Sequence, residues 1–357
     1  MTEPRTVLFG PLPPPYGGVA VFMRYIGDAC LKRGIEVWSY TGERYPGGEA
    51  VRFLNHRRLG HIRRLLGIEA GSRLTDSTHF HLEYPHWLLL PLWLAARKLK
   101  KFTWVKIVHD GSLPSRFEHF GSIRKRLFIF GLRSVDEIVV FSRELEDWFR
   151  AKAASGTLIT LLPFPTPLAG DREPLDGGFT AALAQFRRHE KRVVSIGVFI
   201  PSYGFLHVAN ALEKLRRETG NDIGLLLIDA EFAGDEEYRS SVVDGRDWII
   251  VAESVPNRQM PHIFDASDVF VRAFEHESFG LSRVEALLCG LPVIATCVGE
   301  IRGMFTYRFD DTEQLERHLR GLLTGRYKID TGKWAALFRS EAEASREAIL
   351  RVITGDN

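Results

Sequence analysis

Residues 269–303 read VFVRAFEHESFGLSRVEALLCGLPVIATCVGEIRG. Val269 to Val271 is a short apolar strand, followed by a polar loop that carries Glu275 and Glu277 and closes at Phe279-Gly280. A helix follows from about Ser282 to Cys289, with Val284, Leu287 and Leu288 on its apolar side. Gly290 supplies a left-handed stop, Pro292 prevents the helix from resuming, and Val293 to Thr296 is the next buried strand. The result is a strand–loop–helix–strand unit with its polar loop at the carboxyl end of a strand, where open α/β sheets bind ligands.

The same alternation extends in both directions. Thr6–Phe9 is a strand, GPLPPPYGG a stiff loop ending at Gly17-Gly18, Val19–Lys32 an amphipathic helix and Glu36–Tyr40 a second strand, a βαβ opening. The loop is not the G-x-G-x-x-G of dinucleotide binders. Paired glycines before a helix either make the turn or let a backbone amide approach a phosphate at the positive helix end. Trp104–Val108 is a strand with His109-Asp110-Gly111 at its carboxyl end, and strands at Glu137–Phe141 and Leu158–Leu162 complete the first half. A linker, PLAGDREPLDGG at 167–178, leads to strands at Val193–Ile196, Ile223–Ile228 and Ile249–Val251. Helices are expected at Arg143–Ala153, Phe205–Arg217, Pro261–Ala266, Thr312–Leu323 and Gly332–Ile353. A chain of 357 residues with this pattern suits two α/β domains.

Glu277 and Glu285 are separated by seven residues, one in the loop and one in the helix, which suits them to different parts of one elongated ligand. Glu277-Ser278-Phe279-Gly280, then Glu285-Ala286-Leu287, then Cys289-Gly290-Leu291-Pro292-Val293-Ile294-Ala295, closely resembles the E-x7-E signature of retaining GT-B glycosyltransferases of the family-four type. The resemblance implies an α/β GT-B fold of two Rossmann-like domains facing across a cleft. Residues 1–170 would form a basic, acceptor-side domain and 171–335 the donor domain, with a helix at 336–357 packing back on the first. It also implies that Glu277 hydrogen-bonds the donor sugar and Glu285 holds the donor ribose. His109 is expected near the reacting sugar, Asp110 at the acceptor hydroxyl, and Gly17 and Gly18 near the diphosphate. Ser278, Phe279 and Gly280 belong to the donor loop, and the base is read near Glu253–Pro256. By the same resemblance the reaction retains anomeric configuration and uses neither metal nor cofactor, its UDP- or GDP-linked donor being a substrate. Glu277 would then be a positioning and electrostatic residue, so Glu277→Ala is expected to abolish transfer with little loss of stability.

One departure bears on the chemistry. Relatives place an arginine just after the first strand of the donor domain and a lysine before its helix, a pair that clamps the donor diphosphate. Here those positions are Val198 and Tyr203. A diphosphate leaving group needs positive charge in the transition state. Arg272, Arg283 or Arg302 can substitute, backbone amides and Tyr203 can hold the phosphates, or the donor is unusual or catalysis lost. The rival readings are accordingly a non-catalytic GT-B scaffold and a sugar-nucleotide epimerase of the same fold.

Charge is unevenly spread. Met1–Gly170 holds 24 basic and 15 acidic residues, and the remainder 23 and 30. A basic half points to an anionic partner, and without a nucleic-acid motif that partner is an anionic membrane surface. Basic residues at Asn55–Gly67 and the tryptophan- and lysine-bearing Trp87–Lys101 fit an interfacial helix, the alternative being a core helix with a basic end. Expected partners are therefore a nucleotide-sugar donor and a glycan or lipid-linked acceptor in surface glycan assembly. The expected location is cytoplasmic, peripheral at the inner face of the membrane. MTEPRTVLFG runs into a strand without a signal-peptide pattern, and Cys30, Cys289 and Cys297 are expected as buried free thiols.

Overall fold

The computed structural model describes residues 4–13, 17–41, 51–53, 70–77, 102–153, 156–165, 172–230 and 234–356. The chain divides into two compact units, Met1–Pro165 with Glu343–Asn357, and Thr166–Ala342.

In the first unit the strands β1 (Thr6–Phe9), β2 (Glu36–Ser39), β3 (Val51–Phe53), β4 (Arg73–Asp76), β5 (Thr103–Ile107), β6 (Glu137–Val140) and β7 (Leu158–Leu161) form one sheet in the order β3-β2-β1-β4-β5-β6-β7. Every pairing is parallel. Helices cover both faces of such a sheet, so its strands read as apolar runs instead of alternating; all of β6, EIVV, is buried. Helix α1 (Gly18–Lys32) buries Phe22, Met23, Ile26 and Cys30, the spacing of one helical face. Helices α2 (Leu113–Glu118), α3 (Ser122–Leu132) and α4 (Arg143–Lys152) follow. Ser142 caps α4 by accepting from the Leu145 amide, with Glu144 and Glu146 in its first turn and Arg150 and Lys152 in its last.

The second unit begins with α5 (Gly177–Phe186). Its strands β8 (Lys191–Gly197), β9 (Ile223–Asp229), β10 (Ile249–Glu253), β11 (Val269–Arg272), β12 (Val293–Thr296) and β13 (Phe305–Tyr307) are ordered β10-β9-β8-β11-β12-β13, again all parallel. Helices α6 (Phe205–Thr219), α7 (Glu236–Val243), α8 (Met260–Asp265), α9 (Leu281–Leu288) and α10 (Thr312–Leu323) complete it, and α11 (Thr331–Thr354) ends the chain. Both sheets are doubly wound, with strand order reversing between β1 and β4 in one and between β8 and β11 in the other. Those two reversals are where such folds open a crevice at the strand ends.

Most expected elements are present within one or two residues of the expected limits. β3, β4, β13, α2, α3, α5 and α7 are not among the expected elements. β4 reads RLTD and β13 is three residues long, too short and too polar to stand out by composition. The expected linker overlaps α5, which starts at Gly177, and the unit boundary falls at Pro165–Thr166 instead of after Gly170. Residues 343–357 group with the first unit: Arg73 Nε donates to the Val352 carbonyl at 2.8 Å and Arg33 pairs with Glu347 at 2.6 Å. All of the basic stretch Asn55–Gly67 and all of Trp87–Lys101 lie outside the described residues. Among the described residues no helix is long and apolar enough to cross a membrane.

Candidate active site

The site is built at the strand-order reversal of the second sheet. β8 and β11 run side by side, Val271 opposite Ser195. Arg272, the last residue of β11, reaches across to β8 and donates from Nη1 to the Ile196 carbonyl at 2.6 Å. β8 then stops at Gly197, and a 3-10 turn at Pro201–Tyr203 leads through left-handed Gly204 into α6. A Cβ on Gly197 would run into the Tyr203 ring, so glycine there lets Tyr203 lie on the strand end. Tyr203 stacks on Phe274 with ring centroids 4.2 Å apart. The Arg272 guanidinium sits 5.1 Å from the Tyr203 centroid and 5.0 Å from that of Phe274.

The remaining face of Arg272 meets Glu277, Nε to Oε2 at 2.9 Å. The Glu277 side chain is 11% exposed, so it is charge-paired but still open to solvent. Burial pushes its carboxyl up, but Arg272 and Arg283 outweigh that, and the net shift is downward. Two left-handed glycines make room for it: an added Cβ would come within 3.1 Å of Glu277 Cγ from Gly280 and from Gly299. The Gly299 Cβ would also meet the Phe279 carbonyl at 2.8 Å, the same carbonyl that accepts from the Glu300 amide. Ser278 and Phe279 are buried as the loop folds under the turn after β12.

Glu285 is in a different environment. Asn257 Nδ2 donates to its Oε1 at 2.7 Å, and burial pushes its carboxyl up to about 7 despite that hydrogen bond. Asn257 opens the 3-10 turn after β10, just beyond Ser254, whose φ of 51° makes it a non-glycine residue in the left-handed region. The expected base-reading loop, Glu253–Pro256, therefore ends one residue short of the side chain that touches Glu285. A polar asparagine before a short helical turn was the available signal.

The other expected cations are committed within the fold. Arg283, expected to touch the donor, is 0% exposed: it donates to the Val298 carbonyl and to Thr296 Oγ1 at 2.9 Å, and burial pulls its pKa down to about 10. A helix position three residues beyond the left-handed Gly280 turns inward, and that is the physical reason it faces protein. Arg302 is held by Glu300 at 2.8 Å and Glu341 at 2.9 Å. Val198, the position expected to correspond to the family's arginine, is buried.

The first unit brings its own candidates to the reversal of its sheet. The Ser77 amide, just past β4, donates to the Phe9 carbonyl of β1 at 2.7 Å, and its hydroxyl lies 2.7 Å from His109 Nε2. The imidazole packs against Phe22 of α1 at 4.6 Å and Phe141 at 5.5 Å. Ser77 had not been singled out, because nothing in TDSTH marks it before β4 is placed beside β1. Asp110, expected at the acceptor hydroxyl, instead accepts from the Ser112 amide at 2.9 Å and hydroxyl at 2.7 Å and pairs with Arg116, organising the start of α2. Gly17 caps α1 with extended backbone that any residue adopts, and a Cβ on Gly18 would meet nothing, so local packing does not demand glycine at 18. Cys30 is buried and its thiol pKa is pushed up to about 12, but Cys297, expected buried, is exposed because it follows the last residue of β12 into a surface loop.

Two doubly wound parallel domains of this order define a protein of the GT-B fold, and solved structures agree. HepE from Anabaena, in complex with UDP and glucose, superposes with a TM-score of 0.73 at 15% identity, covering 98% of this chain and 99% of that one. Sucrose-phosphate synthase from Thermosynechococcus elongatus gives 0.66 at 18% identity, covering 96% and 94%. Residues 183–323, the body of the second unit, match the family model Glycosyl transferases group 1. The 2-deoxystreptamine glucosyltransferase of Streptomyces kanamyceticus is 30% identical over 105 residues, 29% of this chain and only 27% of the length of that relative.

Proposed function

We propose that the protein is a retaining glycosyltransferase that moves a sugar from a UDP- or GDP-linked donor to a hydroxyl acceptor, in surface polysaccharide or glycolipid assembly. The observation that carries this reading is the pair of unlike carboxyl groups on the loop and the helix that follow β11. Glu277 is ionised against Arg272, and Glu285 titrates near 7 beside Asn257. Both lie in the segment that matches the glycosyl transferases group 1 model. A carboxylate accepts hydrogen bonds from sugar hydroxyls, and a second one eight positions on reaches the ribose of the same donor.

Arg272 is a cation at the β8 end, and in this reading it takes the part of the family's arginine and lysine. In this mechanism its guanidinium and the positive start of α6, where the Tyr238 hydroxyl already accepts from the Leu206 amide at 3.0 Å, stabilise the departing diphosphate. The leaving phosphate accepts the acceptor's proton as attack occurs on the same face, so Glu277 orients the sugar and is not a nucleophile. Ser278, Phe279 and Gly280 hold the loop in shape, and Tyr203 closes the strand end. His109 and Gly17-Gly18 act from the first unit. No metal or cofactor takes part in this scheme.

A second reading, a scaffold without catalysis, is favoured by one observation: Arg272, Arg283 and Arg302 are all paired within the protein. Incubation of the chain with UDP- and GDP-sugars and a panel of acceptors, followed by anomer-resolved product analysis, tests the reaction. An α-linked product from an α-linked donor supports it; inverted product, or an epimerised donor with no acceptor present, contradicts it.

A further inference from the structure

Helix α3 is apolar on two sides. Phe128 and Leu132 face inward, with Phe128 packed on Phe117 at 5.4 Å and on Trp148 at 6.1 Å between ring centroids. That packing would satisfy an ordinary surface helix. Yet Ile123 is 75% exposed and Phe130 52% exposed, and Leu127, half-buried, lies between them. The three occupy positions i, i+4 and i+7, one continuous outward stripe.

The charge around the stripe has one sign. From His119 to Val135 the sequence contains Arg124, Lys125, Arg126 and Arg133 and no carboxylate. Arg126 and Arg133 are exposed beside the stripe. Lys125 is shared with Glu118 at 3.1 Å, and the Arg124 guanidinium lies 3.8 Å from the Phe120 centroid. Leu158, another exposed apolar side chain, belongs to the same end: its amide donates to the Asp136 carbonyl at 2.9 Å, three residues past Arg133.

We propose that this outward face of α3 is a docking surface for an anionic lipid bilayer, with Ile123, Leu127 and Phe130 entering the acyl boundary and Arg126 and Arg133 at the level of the headgroups. Aliphatic and phenyl side chains projecting between arginines match a surface that is apolar just beneath an anionic layer. Nucleic acid offers no apolar phase for Ile123. A second copy packed face to face would bring Arg126 and Arg133 against their own counterparts, since a two-fold interface repeats the same patch. The proposal stands whether or not the protein transfers a sugar.

The test is co-sedimentation of the full chain with vesicles of phosphatidylglycerol and phosphatidylcholine in equal parts, against vesicles of phosphatidylcholine alone. The chain is expected to pellet with the anionic vesicles and to be released by added salt. The double variants Ile123→Ser/Phe130→Ser and Arg126→Glu/Arg133→Glu should each lower the partition coefficient roughly tenfold or more, at about fivefold per basic side chain removed from the surface. Their thermal midpoints should match the parent, because every altered side chain is solvent-exposed. Equal binding by parent and variants overturns the proposal, as does a parent that ignores anionic vesicles. A concentration-dependent dimer that the Ile123→Ser/Phe130→Ser variant abolishes overturns it in favour of a second copy. Loss of binding on charge reversal of Lys98, Lys100 and Lys101 with the α3 variants unaffected also overturns it.

Discussion

Glu277 and Glu285 sit eight positions apart and are held in opposite ways, one by a guanidinium and one by an amide. The spacing was legible in the sequence; the partners were not, because Arg272 and Asn257 are brought in by β11 and by the turn after β10. This changes the expected behaviour of Glu277→Ala. Removing the carboxylate leaves Arg272, whose side chain is 12% exposed, without its ion-pair partner, a loss of up to about 3–5 kcal/mol when one half of a buried pair is deleted. Stability is therefore expected to fall with activity in the alanine variant. Glu277→Gln retains an acceptor for the Arg272 Nε–H and should lose transfer with a smaller fall in urea midpoint.

Glu285 makes a pH prediction. Its carboxyl shifts from an ordinary 4.5 up to about 7 because burial penalises the ionised form. The native state thus favours the protonated group. That contribution is fully present below about 4.5 and is lost as pH rises through about 7. The unfolding free energy should fall over this window, by about 3 kcal/mol at most for such a shift, and the thermal midpoint with it. Glu285→Gln should flatten the slope; an unchanged slope would place the titration elsewhere.

At the scale of elements, strands and helices followed from apolar runs and glycine stops, and the strand-order reversal explains why the chemistry gathers at β8 and β11. Among the strands, what escaped was short or polar: β4 and β13 draw their stability from neighbours more than from their own composition. β4 and β5 share the buried pair Lys106–Asp76 at 3.0 Å, with Lys106 only 2% exposed and its ammonium pKa pulled down by burial against the pull of Asp76. Asp76→Ala should cost about 3–5 kcal/mol in urea unfolding, because it leaves a buried ammonium without its carboxylate. Lys106→Met should cost less, because it leaves no buried cation. Gly299→Ala, at a φ of 75° and against the Phe279 carbonyl, should destabilise by about 1–3 kcal/mol and displace the Glu277 loop.

At the scale of the whole chain, length and alternation gave two α/β domains, and the glutamate register gave the family resemblance that the match at residues 183–323 echoes. The fate of the arginines was not legible, since a guanidinium at the end of a strand reads alike whether it faces a ligand or a neighbouring carbonyl. The carboxyl end of α11 belongs to the first unit, where Ile349, Leu350 and Ile353 are buried. Truncation after Ala342 removes those three side chains, each contributing roughly 1.5–3 kcal/mol, and should lower the thermal midpoint markedly.

The most direct measurement is isothermal titration of the chain with UDP, GDP and their sugar conjugates, repeated in two buffers of different ionisation enthalpy near neutral pH. One nucleotide should bind, and if its ribose is held by ionised Glu285 the apparent enthalpy should reveal protons released, a signal that Glu285→Gln removes. No heat with any nucleotide at millimolar concentration would contradict the glycosyltransferase account.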